Sequence, residues 1–213
     1  MRKVLEVSGL SKIYGPGCPS CIEKTGSEHE TNICPDCNSV VAAHDMSFDL
    51  YQGEILGIMG ESGSGKSTAV KCLFFDEEPS SGSATFFDKA ETHSLFGLNK
   101  AQQRRLANQR FGMVYQNPHL GLNFDITAGG NIAERLLMSG LDHYGEIRER
   151  AIELLARTEV LTQRMDELPK NFSGGMQQRV QIAKALATSP PLLFLDEVTT
   201  GLDLSVQAAI LDL

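Results

Sequence analysis

The sequence predicts an α/β fold carrying a helical subdomain and a small cysteine-bearing excursion near its start. Three observations lead there. Strand-like apolar runs alternate with helix-periodic segments over most of the chain. The middle of the chain is helical only. Four of the five cysteines fall between residues 18 and 37. The 213 residues are the size of one ordinary domain with an insertion. A hydrophobic share of 41% with 22% charged residues excludes wholesale disorder. The net charge of −8 argues against a protein that wraps nucleic acid or coats an anionic bilayer. No apolar run approaches the roughly 18 residues of a membrane span. Met1-Arg2-Lys3-Val4-Leu5-Glu6 enters a strand pattern with no signal-peptide core. A soluble, cytoplasmic protein is expected, at most peripheral to the inner face of the membrane.

Taken in order, Val4–Val7 and Met46–Leu50 alternate as strands. Ile55–Met59 is an apolar run that reads as a buried strand, and a helix follows over Lys66–Phe74. Ala84–Phe87 reads as strand, residues 100–109 as a polar helix, and Phe111–Tyr115 as strand again. From Asn131 to Val160 the spacing of Ile132, Leu136, Leu137, Ile147, Ile152, Leu154 and Leu155 is helical, with breaks expected near Gly140 and Gly145. Gly174-Gly175 opens a helix running to Ala187, Leu192–Leu195 is a short buried strand after two prolines, and Leu204–Leu213 begins a last helix.

Cys18-Pro19-Ser20-Cys21 and Cys34-Pro35-Asp36-Cys37 are two C-x-x-C knuckles separated by twelve residues. Two such turns present four thiolates to one tetrahedral soft-metal site, zinc ahead of an iron–sulfur cluster. A disulfide pair is disfavoured in a reducing compartment, and a redox dithiol needs only one knuckle. Energetics point the same way. Ordering about twenty residues costs on the order of 1–2 kcal/mol each. Burying Ile22 and Ile33, the insert's only large apolar residues, returns about 3–6 kcal/mol. A structural zinc contributes roughly 10–16 kcal/mol. Cys72 reads as a small buried residue.

Gly60-Glu61-Ser62-Gly63-Ser64-Gly65-Lys66-Ser67-Thr68 fits G-x-x-x-x-G-K-[ST] between a strand and a helix. Glycines let backbone N–H groups approach phosphate oxygens at a helix N-terminus. Lys66 is placed to reach the β- and γ-phosphates of a nucleotide, and Ser67 to ligate Mg²⁺. Leu192–Leu195 runs into Asp196-Glu197. Asp196 suits a magnesium ligand and Glu197 a general base toward water. Phe172-Ser173-Gly174-Gly175-Met176 opens a helix with a serine cap.

With these three motifs in this order, the sequence resembles the ATP-binding-cassette (ABC) ATPases, whose fold is a P-loop NTPase nucleotide-binding domain with a helical subdomain. The resemblance covers the chain except residues 16–40, the four-Cys insert, and gives residues 118–172 to the helical subdomain. It implies ATP binding and hydrolysis with Mg²⁺. Ser173, Gly174 and Gly175 then bind the γ-phosphate of ATP held by a second protomer, in a homo- or heterodimer. Gln116 corresponds to the glutamine that contacts Mg²⁺ or water and couples to a partner, and Gly201-Leu202-Asp203 to the D-loop. Tyr14 corresponds to the aromatic stacked on adenine. Met176 stands where the family most often has Gln.

Residues 122–136, 143–148, 177–183 and 204–208 make the sequence similar, within that family, to the ATPase of the phosphonate carbon–phosphorus lyase system. Next come the ATPases of peptide and nickel importers. The first resemblance implies docking on a soluble lyase core complex and the second on membrane permease subunits. A nucleotide-dependent interaction module with little turnover is the alternative of another class. Two departures motivate it. Val198 follows Asp196-Glu197 where Pro is usual. Sixteen residues follow Glu197 without the family's switch histidine. A C-terminally truncated cassette is therefore expected, binding ATP weakly and turning it over poorly. No nucleic acid is expected as a partner, and the basic face of Lys100, Arg104, Arg105 and Arg110 is read as solvated. His29, His44, His93, His119 and His143 receive no role.

Overall fold

The computed structural model describes residues 1–89 and 91–197. The D-loop residues 201–203, including Asp203, Val198 and the helix expected over 204–213 lie outside the described residues. The chain divides into two units, Met1–Gln103 and Arg104–Leu213.

The first unit is built on an antiparallel sheet. Strands β1 (Lys3–Tyr14) and β2 (Val40–Tyr51) form a long ladder from Lys3↔Tyr51 to Tyr14↔Val40. On the other side of β1 lies β3 (Ser81–Phe87), followed by β4 (Thr92–Ser94), giving the order β2-β1-β3-β4. Both β1 and β2 exceed the runs that alternation marks, because backbone pairing carries strands past the residues that need burial. Leu5, Leu10 and Phe86 are fully buried in this unit. Helix α1 (Lys66–Leu73) buries Ala69, Cys72 and Leu73, and burial pushes the Cys72 thiol up.

Ile55–Met59 does not form the expected buried strand. The run has no regular structure and Met59 is 93% exposed. Among the described residues no strand pairs with it, and an apolar run becomes a strand only where a neighbour takes its N–H and C=O groups.

The second unit contains α2 (Lys100–Gln109, beginning in the first unit), β5 (Phe111–Val114), α3 (Pro118–Gly121), α4 (Ala128–Ser139), α5 (Tyr144–Arg157), α6 (Gly174–Ala185) and β6 (Leu192–Leu195). Strands β5 and β6 run parallel with Val114 opposite Leu195. Ala128, Ile132, Leu154, Leu155, Val180 and Ala183 form one core among α4, α5 and α6. Helix α4 starts on Thr127, whose hydroxyl accepts from Gly130 N–H, and stops at Gly140 with φ 100°. The interruption expected at Gly145 is absent. His143 caps α5 and Gly145 lies in its first turn, where a glycine costs least because that turn's N–H groups need no intrahelical partner.

Among the described residues no helix is long and apolar enough to cross a membrane.

Candidate functional site: phosphate loop, carboxylate pair and signature cap

In the first unit the phosphate loop rises into α1. Gly65 caps the helix at φ 90°, and Gly63 has φ 84°, backbone conformations that glycine adopts without strain. Gly65 also lies against β2, so closely that a Cβ would overlap the Ala42 carbonyl oxygen. No atom stands within 4 Å of a Cβ built on Gly63, which leaves its backbone open to an incoming group. The Lys66 ammonium donates to the Gly60 and Glu61 carbonyls at 2.9 and 2.7 Å. Those carbonyls occupy the lysine inside its own loop, and phosphate oxygens would replace them. Exposed glycine backbone, a helix N-terminus and this lysine fit a polyphosphate. Ser67 and Thr68 sit in the first turn of α1.

Tyr14 ends β1 and is partly exposed. Its phenol faces Thr68 and Glu77, and burial raises it above the usual tyrosine range, with the Glu77 charge assisting. The Lys12 ammonium stands 4.7 Å from the ring centroid and donates to the Glu78 carbonyl at 2.7 Å.

In the second unit the carboxylate pair follows β6. The Asp196 N–H donates to the Val114 carbonyl at 2.9 Å, extending the β5–β6 ladder by one bond, and Asp196 is buried. Glu197 is exposed with φ 49°, a left-handed backbone uncommon outside glycine and typical of positions where site geometry outweighs local strain. Gln116 Nε2 donates to Glu197 Oε2 at 2.6 Å, so the two residues singled out for water and magnesium meet directly.

The signature cap lies in the same unit. Ser173 caps α6, its hydroxyl accepting from Met176 N–H at 3.4 Å, and Gly174 and Gly175 begin the helix with their backbone accessible. Residues without a motif hold this loop. Arg164 stacks over Phe172 at 4.4 Å, donates to the Asn171 carbonyl at 3.2 Å, and pairs with Glu167 at 2.7 Å. Gln177 donates to the Pro169 and Phe172 carbonyls, both at 3.1 Å. Farther along α6, Gln178 donates to the Tyr115 carbonyl at 3.2 Å. Gln181, oriented to satisfy both atoms, donates to that carbonyl at 2.9 Å and accepts from Tyr115 N–H at 3.1 Å. The signature helix thus grips the residue before Gln116. An amide-rich helix following a serine cap was the available signal.

The four-Cys insert hangs between β1 and β2. Cys18, Cys21, Cys34 and Cys37 bring their sulfurs within 4.8 Å of one another. The near pairs are Cys18–Cys21 and Cys18–Cys34 at 3.6 Å and Cys21–Cys37 at 3.4 Å. These are too long for disulfides and close to the ~3.8 Å edge of a tetrahedron with metal–sulfur bonds of about 2.3 Å. The donor set therefore fits a tetrathiolate metal. Cys21 and Cys34 are fully buried, whereas Ile22 and Ile33 are 39% and 50% exposed. The isoleucines make no core for the insert, and two of the sulfur-bearing side chains are what it buries most deeply. The Cys18 N–H donates to Cys21 Sγ at 3.1 Å. Ser39 holds the Cys37 thiol down to about 6. The Cys18 amide also favours the Cys21 thiolate, but burial and the neighbouring sulfurs outweigh it and push that thiol up to about 12.

Comparison with known proteins places these features in one family. The family described as ABC transporter matches residues 43–200. The chain is 50% identical over 79% of its length to the phosphonates utilization ATP-binding protein PhnK of Escherichia coli (strain K12), covering 66% of that protein. It is 37% identical over 82% of its length to the di/tripeptide transport ATP-binding protein DppF of Pseudomonas aeruginosa (strain UCBPP-PA14), covering 52% of it. The chain thus spans about half to two-thirds of these relatives. Among solved structures, the ATP-binding cassette MJ0796, a dimer in a post-hydrolysis state bound to ADP and Pi, superposes with a TM-score of 0.78. The match is at 28% identity and covers 97% of this chain and 79% of that one. With three motifs in order and both sequence and fold matched, the chain belongs to the ABC transporter family, as an ABC-type nucleotide-binding domain.

Proposed function

We propose that the chain is the ATP-hydrolysing subunit of a phosphonate-utilisation system of the carbon–phosphorus lyase type. It works as a head-to-tail dimer whose closure remodels a bound partner. The Gln116–Glu197 hydrogen bond of 2.6 Å carries the catalytic part of this reading. It sets the general base beside the residue read as contacting magnesium or water and coupling to a partner. Glycines 60, 63 and 65 with Glu61, Ser62, Ser64 and Thr68 cradle the phosphates through backbone N–H groups. Lys66 exchanges the Gly60 and Glu61 carbonyls for phosphate oxygens, and Tyr14 offers a face to adenine. Ser67, Gln116 and Asp196 would hold magnesium, which neutralises charge on the β- and γ-phosphates. Ser173, Gly174 and Gly175 present a capped helix N-terminus to the γ-phosphate of the opposite protomer, and Asp203 joins that interface. Hydrolysis of Mg·ATP by the chain, cut about 10²–10⁴-fold in Glu197→Gln, tests this reading. Unchanged turnover in that variant favours the interaction-module alternative.

The 50% identity to PhnK against 37% to DppF supports the phosphonate assignment over an importer ATPase. Co-purification with a soluble lyase core supports the first reading; co-purification with a membrane permease supports the second. The four cysteines are read as a structural zinc site, supported by their sulfur spacing and the burial of Cys21 and Cys34. One zinc per chain is the expected metal content.

A further inference from the structure

The four-Cys insert joins the strand ends that serve the nucleotide site. Ser39, fully buried, is where the two meet. Its hydroxyl stands 3.2 Å from Cys37 Sγ and accepts from Gly17 N–H at 2.9 Å. Its carbonyl accepts from Cys34 N–H at 2.8 Å. A Cβ on Gly15, which has φ 104°, would come within 2.8 Å of that hydroxyl, so the chain leaving β1 packs directly on Ser39.

The residues after Ser39 extend the same connection. Val40 pairs with Tyr14 on one side and bridges to Ile33 of the insert on the other. Val41 N–H donates to the Asn32 carbonyl at 2.8 Å. Ala42 follows, the residue whose carbonyl Gly65 of the phosphate loop approaches too closely for any side chain. Within four residues the chain passes from a cysteine neighbour, past the partner of Tyr14, to the backing of the phosphate loop.

The insert's remaining hydrogen bonds are mostly local turns, such as Gly26 N–H to the Thr31 carbonyl and the Thr25 hydroxyl to the Cys21 carbonyl. Its isoleucines are half exposed, and the Lys24–Asp36 pair at 2.7 Å is solvent-accessible, a kind of pair that adds little stability. A zinc ion is the contribution large enough to fix it. Whatever fixes the insert fixes Ser39 and, through it, the ends of β1 and β2.

We propose that zinc bound by Cys18, Cys21, Cys34 and Cys37 holds Tyr14 and Ala42 in the arrangement that receives Mg·ATP, with Ser39 as the positioning residue, so that zinc and nucleotide bind cooperatively. The proposal rests on the zinc reading above and adds an energetic link to it. Linkage makes the coupling reciprocal: nucleotide tightens zinc by the factor by which zinc tightens nucleotide.

The test uses the full chain, reduced and metal-free, titrated with zinc against a competing chelator in the absence and presence of saturating Mg·ATP. One zinc per chain, with an affinity raised roughly fivefold or more by the nucleotide, is the expected result. Zinc bound at one per chain with an affinity the nucleotide leaves unchanged overturns the coupling while sparing the zinc site. Failure to bind zinc overturns both. Cobalt(II) loading supplies a spectroscopic readout that a purely structural role would not move. Its thiolate charge-transfer bands are expected to shift on adding Mg·ATP in the native chain and to stay fixed in Ser39→Ala, which keeps all four thiolates. A full shift in Ser39→Ala overturns the assignment of Ser39.

Discussion

The phosphate loop and the four-cysteine insert both lack a hydrophobic core, yet they are ordered by opposite means. The loop is exposed and takes its shape from glycine backbones, with Lys66 folded onto its own carbonyls. The insert draws four side chains inward until their sulfurs nearly touch. One region is a backbone cradle whose polar groups face outward to a ligand; the other is a side-chain cage whose polar groups face inward. The loop's shape comes from left-handed glycines and the close approach of Ala42, whereas we propose that the insert's shape comes from a bound metal.

The largest effects should come from the cradle and the carboxylate pair. Lys66→Ala removes the one charge aimed at the phosphates and is expected to weaken Mg·ATP binding by roughly 100-fold, the loss of a charge-assisted contact worth about 1.5–3 kcal/mol; isothermal titration reads it directly. Glu197→Gln should leave binding intact and cut turnover by about 10²–10⁴-fold, the contribution of a general base, in a steady-state phosphate-release assay.

In the same loop, Gly65→Ala meets both an unfavourable φ of 90° and the Ala42 carbonyl. A loss of more than about 1 kcal/mol is expected in denaturant unfolding, with nucleotide binding falling alongside. In the cage, Cys21→Ser should abolish stoichiometric zinc binding and lower the thermal midpoint to that of chelator-stripped protein.

Much of the site was legible because its chemistry is local. The glycine-lysine loop, the Ser173 cap, the Asp196-Glu197 strand exit and both knuckles each span a few residues with fixed geometry. The run Ile55–Met59 was misread because a strand needs a partner that spacing cannot supply. Leu192–Leu195, no more apolar, forms a strand beside Phe111–Val114, while 55–59 has no pairing strand among the described residues. Ser39 gave only the faint signal of a hydroxyl two residues past the second knuckle. The grip of Gln178 and Gln181 on Tyr115 joins residues more than sixty positions apart in the sequence, beyond the reach of any local pattern.

The most direct measurement is a calorimetric titration of Mg·ATP into the zinc-loaded and zinc-free chain side by side. Zinc is expected to tighten ATP by the same factor, roughly fivefold or more, by which ATP tightens zinc. Equal ATP affinities in the two forms would contradict it.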